Sequence, residues 1–155
     1  MIIRRAENKD IYGINVLLRQ VLDVHQNGRP DIFKKGAKKY TDAELFEIIA
    51  DSKRPIFVAE DYGEIIGYAF CMFKQHTGSN ILTDIKTLYI DDLCVNERHR
   101  GKHIGKTLYE HVLSFAKNED CYNVTLNVWT CNQGALRFYE KMGLLPQKIE
   151  MEKIL

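Results

Sequence analysis

Arg98, His99, Arg100, Lys102, His103 and Lys106 crowd the approach to and first turn of an amphipathic helix with apolar positions Ile104, Leu108, Val112, Phe115 and Ala116. A helix N-terminus carries partial positive charge, so cations packed there cost stability unless an anion sits among them. Free backbone N–H groups, a glycine that permits close approach (Gly101) and surrounding cations are the parts of a phosphate site. A basic run by itself reads equally well as a solvated face. The setting favours phosphate, because the apolar strand end Leu93-Cys94-Val95 passes through a short polar turn straight into the helix.

Spacing excludes two common phosphate binders. Gly101-Lys102-His103-Ile104-Gly105-Lys106-Thr107 has three residues between its glycines, where a nucleotide P-loop needs four. The later strand 124–129 also lacks a carboxylate to help hold magnesium. No Gly-x-Gly-x-x-Gly fingerprint for a dinucleotide is present.

Acid–base chemistry has its own candidates. Asp91 and Asp92 interrupt the apolar run 88–95, where strand preference disfavours carboxylates. Alternation sends them to opposite faces, so at least one is misplaced for a simple core strand. Asn132 and Tyr139 are two helical turns apart and lie on nearly one face, beside an apolar face of Ala135, Phe138 and Met142. Asn132 is also a good helix N-cap, and Tyr139 an ordinary half-buried aromatic. Cys94 and Cys131 flank the same region, but no histidine is placed beside either to activate a thiol.

Arg100-Gly101-Lys102-His103-Ile104-Gly105 resembles the acyl-CoA pyrophosphate loop of the GNAT N-acetyltransferase superfamily, Arg/Gln-x-x-Gly-x-Gly/Ala, with His103 where the family usually has its first glycine. Asn132-x-x-Ala135-x-x-Phe138-Tyr139, closed by Gly143, is similar to a second segment of that superfamily, at the family's order and separation. The stretch 89–95 resembles the corresponding strand of diamine (spermidine/spermine) acetyltransferases.

The resemblance implies an acetyl group moved from acetyl-CoA to a primary amine of a small molecule, peptide or protein, by direct attack in a ternary complex. It places the pyrophosphate on Arg100, Gly101, Lys102, His103, Ile104, Gly105 and Lys106, and the pantetheine arm on Asn132 and the backbone of Leu93, Cys94 and Val95. That backbone would also polarise the thioester carbonyl. Tyr139 would protonate the departing thiolate, since a phenol with a pKa of about 10 is a suitable donor. An amine with a pKa of about 10.4 must lose a proton before attack. Asp91 is the first choice for that base and Asp92 the second. The acceptor entrance falls on the first two helices and their connection, which carry His25, Arg29, Asp31, Phe33 and Tyr40. Asp31 suits a cationic amine, whereas Lys34 to Lys39 suit an acidic acceptor, so an amine, an aminoglycoside-like compound, an amino acid or a protein amine all stay open. A non-catalytic acyl-CoA-binding sensor on the same fold is the competing class. Homodimers are common in the superfamily.

The elements that must position these residues are legible in outline. A chain of 155 residues, 45% hydrophobic and 28% charged, suits one domain spanning 1–155. A formal net charge of +1 gives no reason to expect nucleic acid or an anionic membrane as partner. Four cysteines without Cys-x-x-Cys spacing suggest neither a structural metal nor disulfides, and a reducing cytoplasm follows as the expected location. Strands are expected at 2–5, 55–60, 64–73, 82–95 and 122–129. Helices are expected at 11–24, at 42–51 behind the capping box Thr41-Asp-Ala-Glu44, at 104–117 and at 133–142. One or two further strands are expected in 144–155. The order βααβββαβαβ describes an α/β (α+β) fold, a mixed, mostly antiparallel sheet flanked by about four helices, as in the GNAT fold.

Overall fold

Alternate residues of the central strands feed two separate cores. In the computed structural model, which describes all 155 residues, the chain runs β1 (Ile2–Arg5), a 3-10 turn (Asn8–Asp10), α1 (Ile11–Gly28), α2 (Asp42–Ala50), β2 (Ile56–Asp61), β3 (Glu64–Lys74), β4 (Thr87–Val95), a 3-10 turn (Glu97–His99), α3 (Ile104–Asn118), β5 (Asn123–Leu126) and α4 (Gln133–Lys141). Strands lie in the order β1-β2-β3-β4-β5; the first three pairings are antiparallel and β4–β5 is parallel. The parallel pair is the one bridged by a helix, α3, as a crossover requires.

Ile56, Val58, Ile65, Tyr68, Phe70 and Cys94 point to one face and bury Ile14, Leu17 and Leu18 of α1 and Leu45 and Ile48 of α2. Phe57, Ala59, Ile66, Ala69, Cys71, Leu88 and Ile90 point to the other, against Ile104, Leu108, Tyr109, Val112 and Ala116 of α3. The two-residue period of the strands thus meets the helical period of α1 and α3 on opposite sides. Thr41 starts α2 with the expected reciprocal cap: its Oγ1 accepts from the Glu44 N–H, and the Glu44 carboxylate accepts from the Thr41 N–H. α4 ends with Gly143 at φ +88°, where the N–H groups of Gly143 and Leu144 donate to the carbonyls of Glu140 and Tyr139.

Several boundaries differ from the sequence expectation, and α1 runs on to Gly28 rather than ending at 24. β4 begins at Thr87 rather than 82, because Ser79 Oγ accepts from the N–H groups of Ile81 and Leu82 and holds a turn there. β5 ends at Leu126 rather than 129. Residues 144–155 form no strand, so the element order loses its final β. Apolar alternation makes a strand only where a partner edge accepts its hydrogen bonds; here Ile149 and Met151 both face solvent, and Pro146 lacks a donor. The tail is tied instead through Glu152, which pairs with Arg29 at 3.0 Å. No helix is long and apolar enough to cross a membrane.

Candidate active site

β4 loses its neighbour where the candidate residues begin. Its parallel pairing with β5 runs from Thr87↔Asn123 to Ile90↔Leu126 and stops, while β3 stays paired with it as far as Gly67↔Val95. Asp91 to Val95 therefore present one unpaired strand edge, and an open edge is a template for another extended chain of amides. Leu93, Cys94 and Val95 lie on this segment as expected.

At that point β4 carries a bulge. Phe70 pairs with Asp92 and Cys71 with Ile90, leaving Asp91 as the extra residue. The strict alternation expected for Asp91 and Asp92 is thereby broken, and both carboxylates approach one lysine. Lys39 Nζ, from the α1–α2 connection, is 2.9 Å from Asp91 Oδ2 and 3.9 Å from Asp92 Oδ2. The Tyr40 hydroxyl donates to Asp91 Oδ2 at 2.9 Å while its ring stacks on Phe70. The Tyr68 hydroxyl donates to Asp92 Oδ2 at 2.9 Å. Burial pushes the Asp92 carboxyl up, against the opposing pull of Lys39 and Tyr68. Two neighbouring carboxylates in unequal surroundings suit proton transfer.

The anion cradle lies at the end of the same strand. Asn96 caps the 3-10 turn through its side chain, which accepts from the Arg98 N–H, and Arg100 Nε donates back to the Val95 carbonyl at 3.3 Å. The N–H groups of Gly101, Lys102, His103, Ile104, Gly105 and Lys106 donate to no protein acceptor; the Thr107 N–H is the first in the helix to find one, at His103 O. No acidic residue stands in the first turn of α3. His103 is its N-cap, left-handed at φ +60°, with an exposed side chain. This conformation is the reason for a glycine at that place, and histidine is among the residues that tolerate it. This row of N–H groups is without protein acceptors, as an anion site requires, and the His103 side chain beside it is exposed.

Asn132 and Tyr139 sit at the two ends of α4. Asn132 Oδ1 accepts from the Ala135 N–H at 3.2 Å, so the capping reading is realised and only its amide nitrogen is left for a ligand. The first turn of α3 meets α4 at Gly105, where an added Cβ would lie 3.5 Å from both the Phe138 ring and Val95. The Tyr139 ring lies edge-on to Phe138 and Tyr109. Burial, and then the charge of Asp92, pushes its phenol up, so it stays protonated.

Asp31 is gripped by the Arg29 guanidinium, which donates to both its oxygens at 2.9 and 2.7 Å, so a cationic acceptor would compete with Arg29 for it. Cys94 is buried, donates weakly to the Leu17 carbonyl and is pushed up to about 12 by desolvation, which is the opposite of an activated thiol. Phe33 does take part in a wall: its ring stacks on His25 at 5.1 Å and meets the Trp129 edge at 5.1 Å. Sequence reasoning named Lys39 only within the basic run 34–39 and left out Tyr68 and Trp129. Only Tyr68 gave a signal, a hydroxyl in an otherwise apolar central strand that must find a partner.

The Acetyltransferase (GNAT) family profile matches residues 19–144. The chain belongs to this family. A tetramutant of the BH1408 protein of Bacillus halodurans is 33% identical, with a TM-score of 0.95 over 100% of both chains. Glucosamine 6-phosphate N-acetyltransferase of Arabidopsis thaliana is 37% identical over 68 residues, 44% of this chain and 44% of that protein. An aminoglycoside N-acetyltransferase in complex with CoA shares the fold at 15% identity, with a TM-score of 0.73 over 99% of this chain and 98% of that one. The matched regions span from 36% to 58% of the length of the curated relatives.

Proposed function

We propose that this GNAT chain transfers the acetyl group of acetyl-CoA to a primary amine by direct attack in a ternary complex. The observation that carries the reading is the end of β4–β5 pairing at Ile90, which leaves an open strand edge between a carboxylate pair and a row of free N–H groups. The residues from Arg100 to Lys106 would hold the pyrophosphate, and the backbone of Leu93 to Val95, with the Asn132 amide nitrogen, the pantetheine arm. Donors fixed at the strand edge cost no reorganisation when negative charge develops on the carbonyl oxygen.

The carboxylate pair would receive the acceptor's ammonium and remove its proton. Burial favours Asp92 over Asp91 for the removal, because a carboxyl raised toward neutrality is the better matched base. Asp91, held by Tyr40 and Lys39, would place the ammonium. Tyr139 would supply the proton that the CoA thiolate takes as it leaves. His103 adopts the left-handed backbone of a glycine with its imidazole exposed, which supports the catalytic reading over a non-catalytic sensor.

The test is isothermal titration with acetyl-CoA, with ATP and NAD as controls, followed by thiol release across a panel of amines. Saturable binding of acetyl-CoA alone and amine-dependent release are expected. Tyr139→Phe should lower turnover about 100-fold, the low end of general acid catalysis, with affinity for acetyl-CoA kept. Absence of acetyl-CoA binding would overturn the reading.

A further inference from the structure

Lys39 occupies the place that the proposed mechanism gives to an acceptor's amine. Its ammonium nitrogen lies 2.9 Å from Asp91 Oδ2 and 3.9 Å from Asp92 Oδ2, at the one point where both carboxylates are within reach of a single cation. The lysine comes from the α1–α2 connection, a stretch with no helix or strand, and its side chain is 37% exposed. The other basic side chains nearby are engaged differently: Lys38 pairs with Asp42, and Arg29 with Asp31 and Glu152. Lys39 alone on this connection reaches the pair that the proposed mechanism uses as its base.

We propose that Lys39 is a self-acetylation site, an acceptor supplied by the chain itself and modified in cis when acetyl-CoA is bound. This rests on the acetyltransferase reading above. One ammonium proton of Lys39 passes to the carboxylate pair and from there to solvent. The freed Nζ attacks the thioester carbonyl carbon, an N–C bond forms and the C–S bond breaks. A second proton of the nitrogen balances the one that Tyr139 gives to the CoA thiolate, so the products are a neutral acetamide, CoA thiol and one proton released. The modification removes the positive charge that neutralises Asp91 and Asp92, and so clears the subsite for an acceptor from solution. Until then Lys39 competes with that acceptor for the same two carboxylates.

The experiment incubates the intact protein with acetyl-CoA and no added amine, then measures acetyl occupancy at every lysine by peptide mass spectrometry over time. Lys39 should be modified at least about 10-fold faster than exposed lysines away from the site such as Lys148, with a half-time independent of protein concentration. Tyr139→Phe should slow it about 100-fold, as expected for loss of a general acid. Lys39→Arg, which keeps the charge, should abolish the fast modification while leaving acetyl-CoA binding unchanged. Lys39→Met should lower KM for an added amine and move the acidic limb of its kcat–pH profile upward, because Lys39 holds the Asp92 carboxyl down.

A Lys39 modified no faster than Lys148, or modified equally fast in Tyr139→Phe, would overturn the proposal. If an added amine is acetylated with thiol release while Lys39 stays unmodified, this inference fails and the proposed function stands. If acetyl-CoA does not bind, both fail.

Discussion

The Tyr68 hydroxyl donates to Asp92 Oδ2 at 2.9 Å, from a tyrosine with no exposed surface. The contact pulls down the pKa that burial raises. Tyr68→Phe deletes a donor to the ionised form and moves the Asp92 pKa further up. A base works only when ionised, so turnover rises with pH through that pKa. The variant should shift the acidic limb of the pH–rate profile upward by about one unit, because a hydrogen bond to a charged group contributes about 1.5 kcal/mol and one pKa unit is about 1.4 kcal/mol. An unmoved limb would mean that Asp92 does not set it.

Asp10 governs acid stability at the start of α1. Its side chain is 4% exposed, and it accepts from Arg4 Nη1 at 2.7 Å, Arg4 Nη2 at 2.9 Å and the Glu7 N–H at 2.8 Å. Burial alone would raise this carboxyl, but the Arg4 and Glu7 hydrogen bonds outweigh it and the net shift is downward. A carboxyl lowered on folding contributes stability above its unfolded pKa of about 3.9 and loses it as pH falls toward the folded value. Asp10→Asn should cost about 3 kcal/mol at neutral pH and flatten the dependence below pH 4, read by urea unfolding across pH. Equal acid sensitivity in both proteins would count against the Arg4–Asp10 pair as its source.

How much of this was visible beforehand depends on the range of the force involved. The open row of N–H groups ahead of α3 was legible because its parts are contiguous: cations, Gly101 and a helix start occupy one short stretch, and the helix period fixes which residues turn inward. The cores on both faces followed from the same local periods. The pairing of Asp91 with Asp92 was misread, because alternation is local and the bulge at Asp91 is set by its register against Phe70 and Cys71. Lys39 and Asp31 were both visible as charges, yet which of them reaches the site depends on Arg29 turning back onto Asp31 and Lys39 crossing to β4. The expected last strand failed for a related reason, since pattern alone does not supply an edge to pair with.

His103 is left-handed at φ +60° ahead of α3, and its exposed side chain has no protein hydrogen bond there. Backbone conformation, rather than the imidazole, is what the cradle needs at this position. His103→Gly should therefore keep acetyl-CoA affinity. His103→Val should lose stability by at least about 1 kcal/mol, as a β-branched residue forced into this region does, and weaken acetyl-CoA in step. Thermal unfolding with and without acetyl-CoA separates the two variants. A glycine variant that binds acetyl-CoA markedly less well would give the imidazole a direct part in holding it.

Gly67 sets how closely α3 sits on the sheet. A Cβ there would lie 2.9 Å from Leu108 Cδ1 and 3.0 Å from the Cys94 carbonyl oxygen. The leucine end is flexible, but the carbonyl is backbone of the very strand segment proposed to pair with pantetheine. Gly67 also pairs directly with Val95, the last residue of that segment. Gly67→Ala should destabilise the fold by about 1 to 3 kcal/mol, the usual cost of overpacking a filled core. It should also weaken acetyl-CoA binding measured well below the unfolding transition, because relief of the clash moves Cys94, Val95 and the start of α3 apart. Leu108→Ala in the same chain opens room for the methyl group but leaves the carbonyl contact. The double variant should therefore regain packing around the methyl without regaining acetyl-CoA affinity. Full recovery of affinity would assign the effect to Leu108 and remove the strand edge from the explanation.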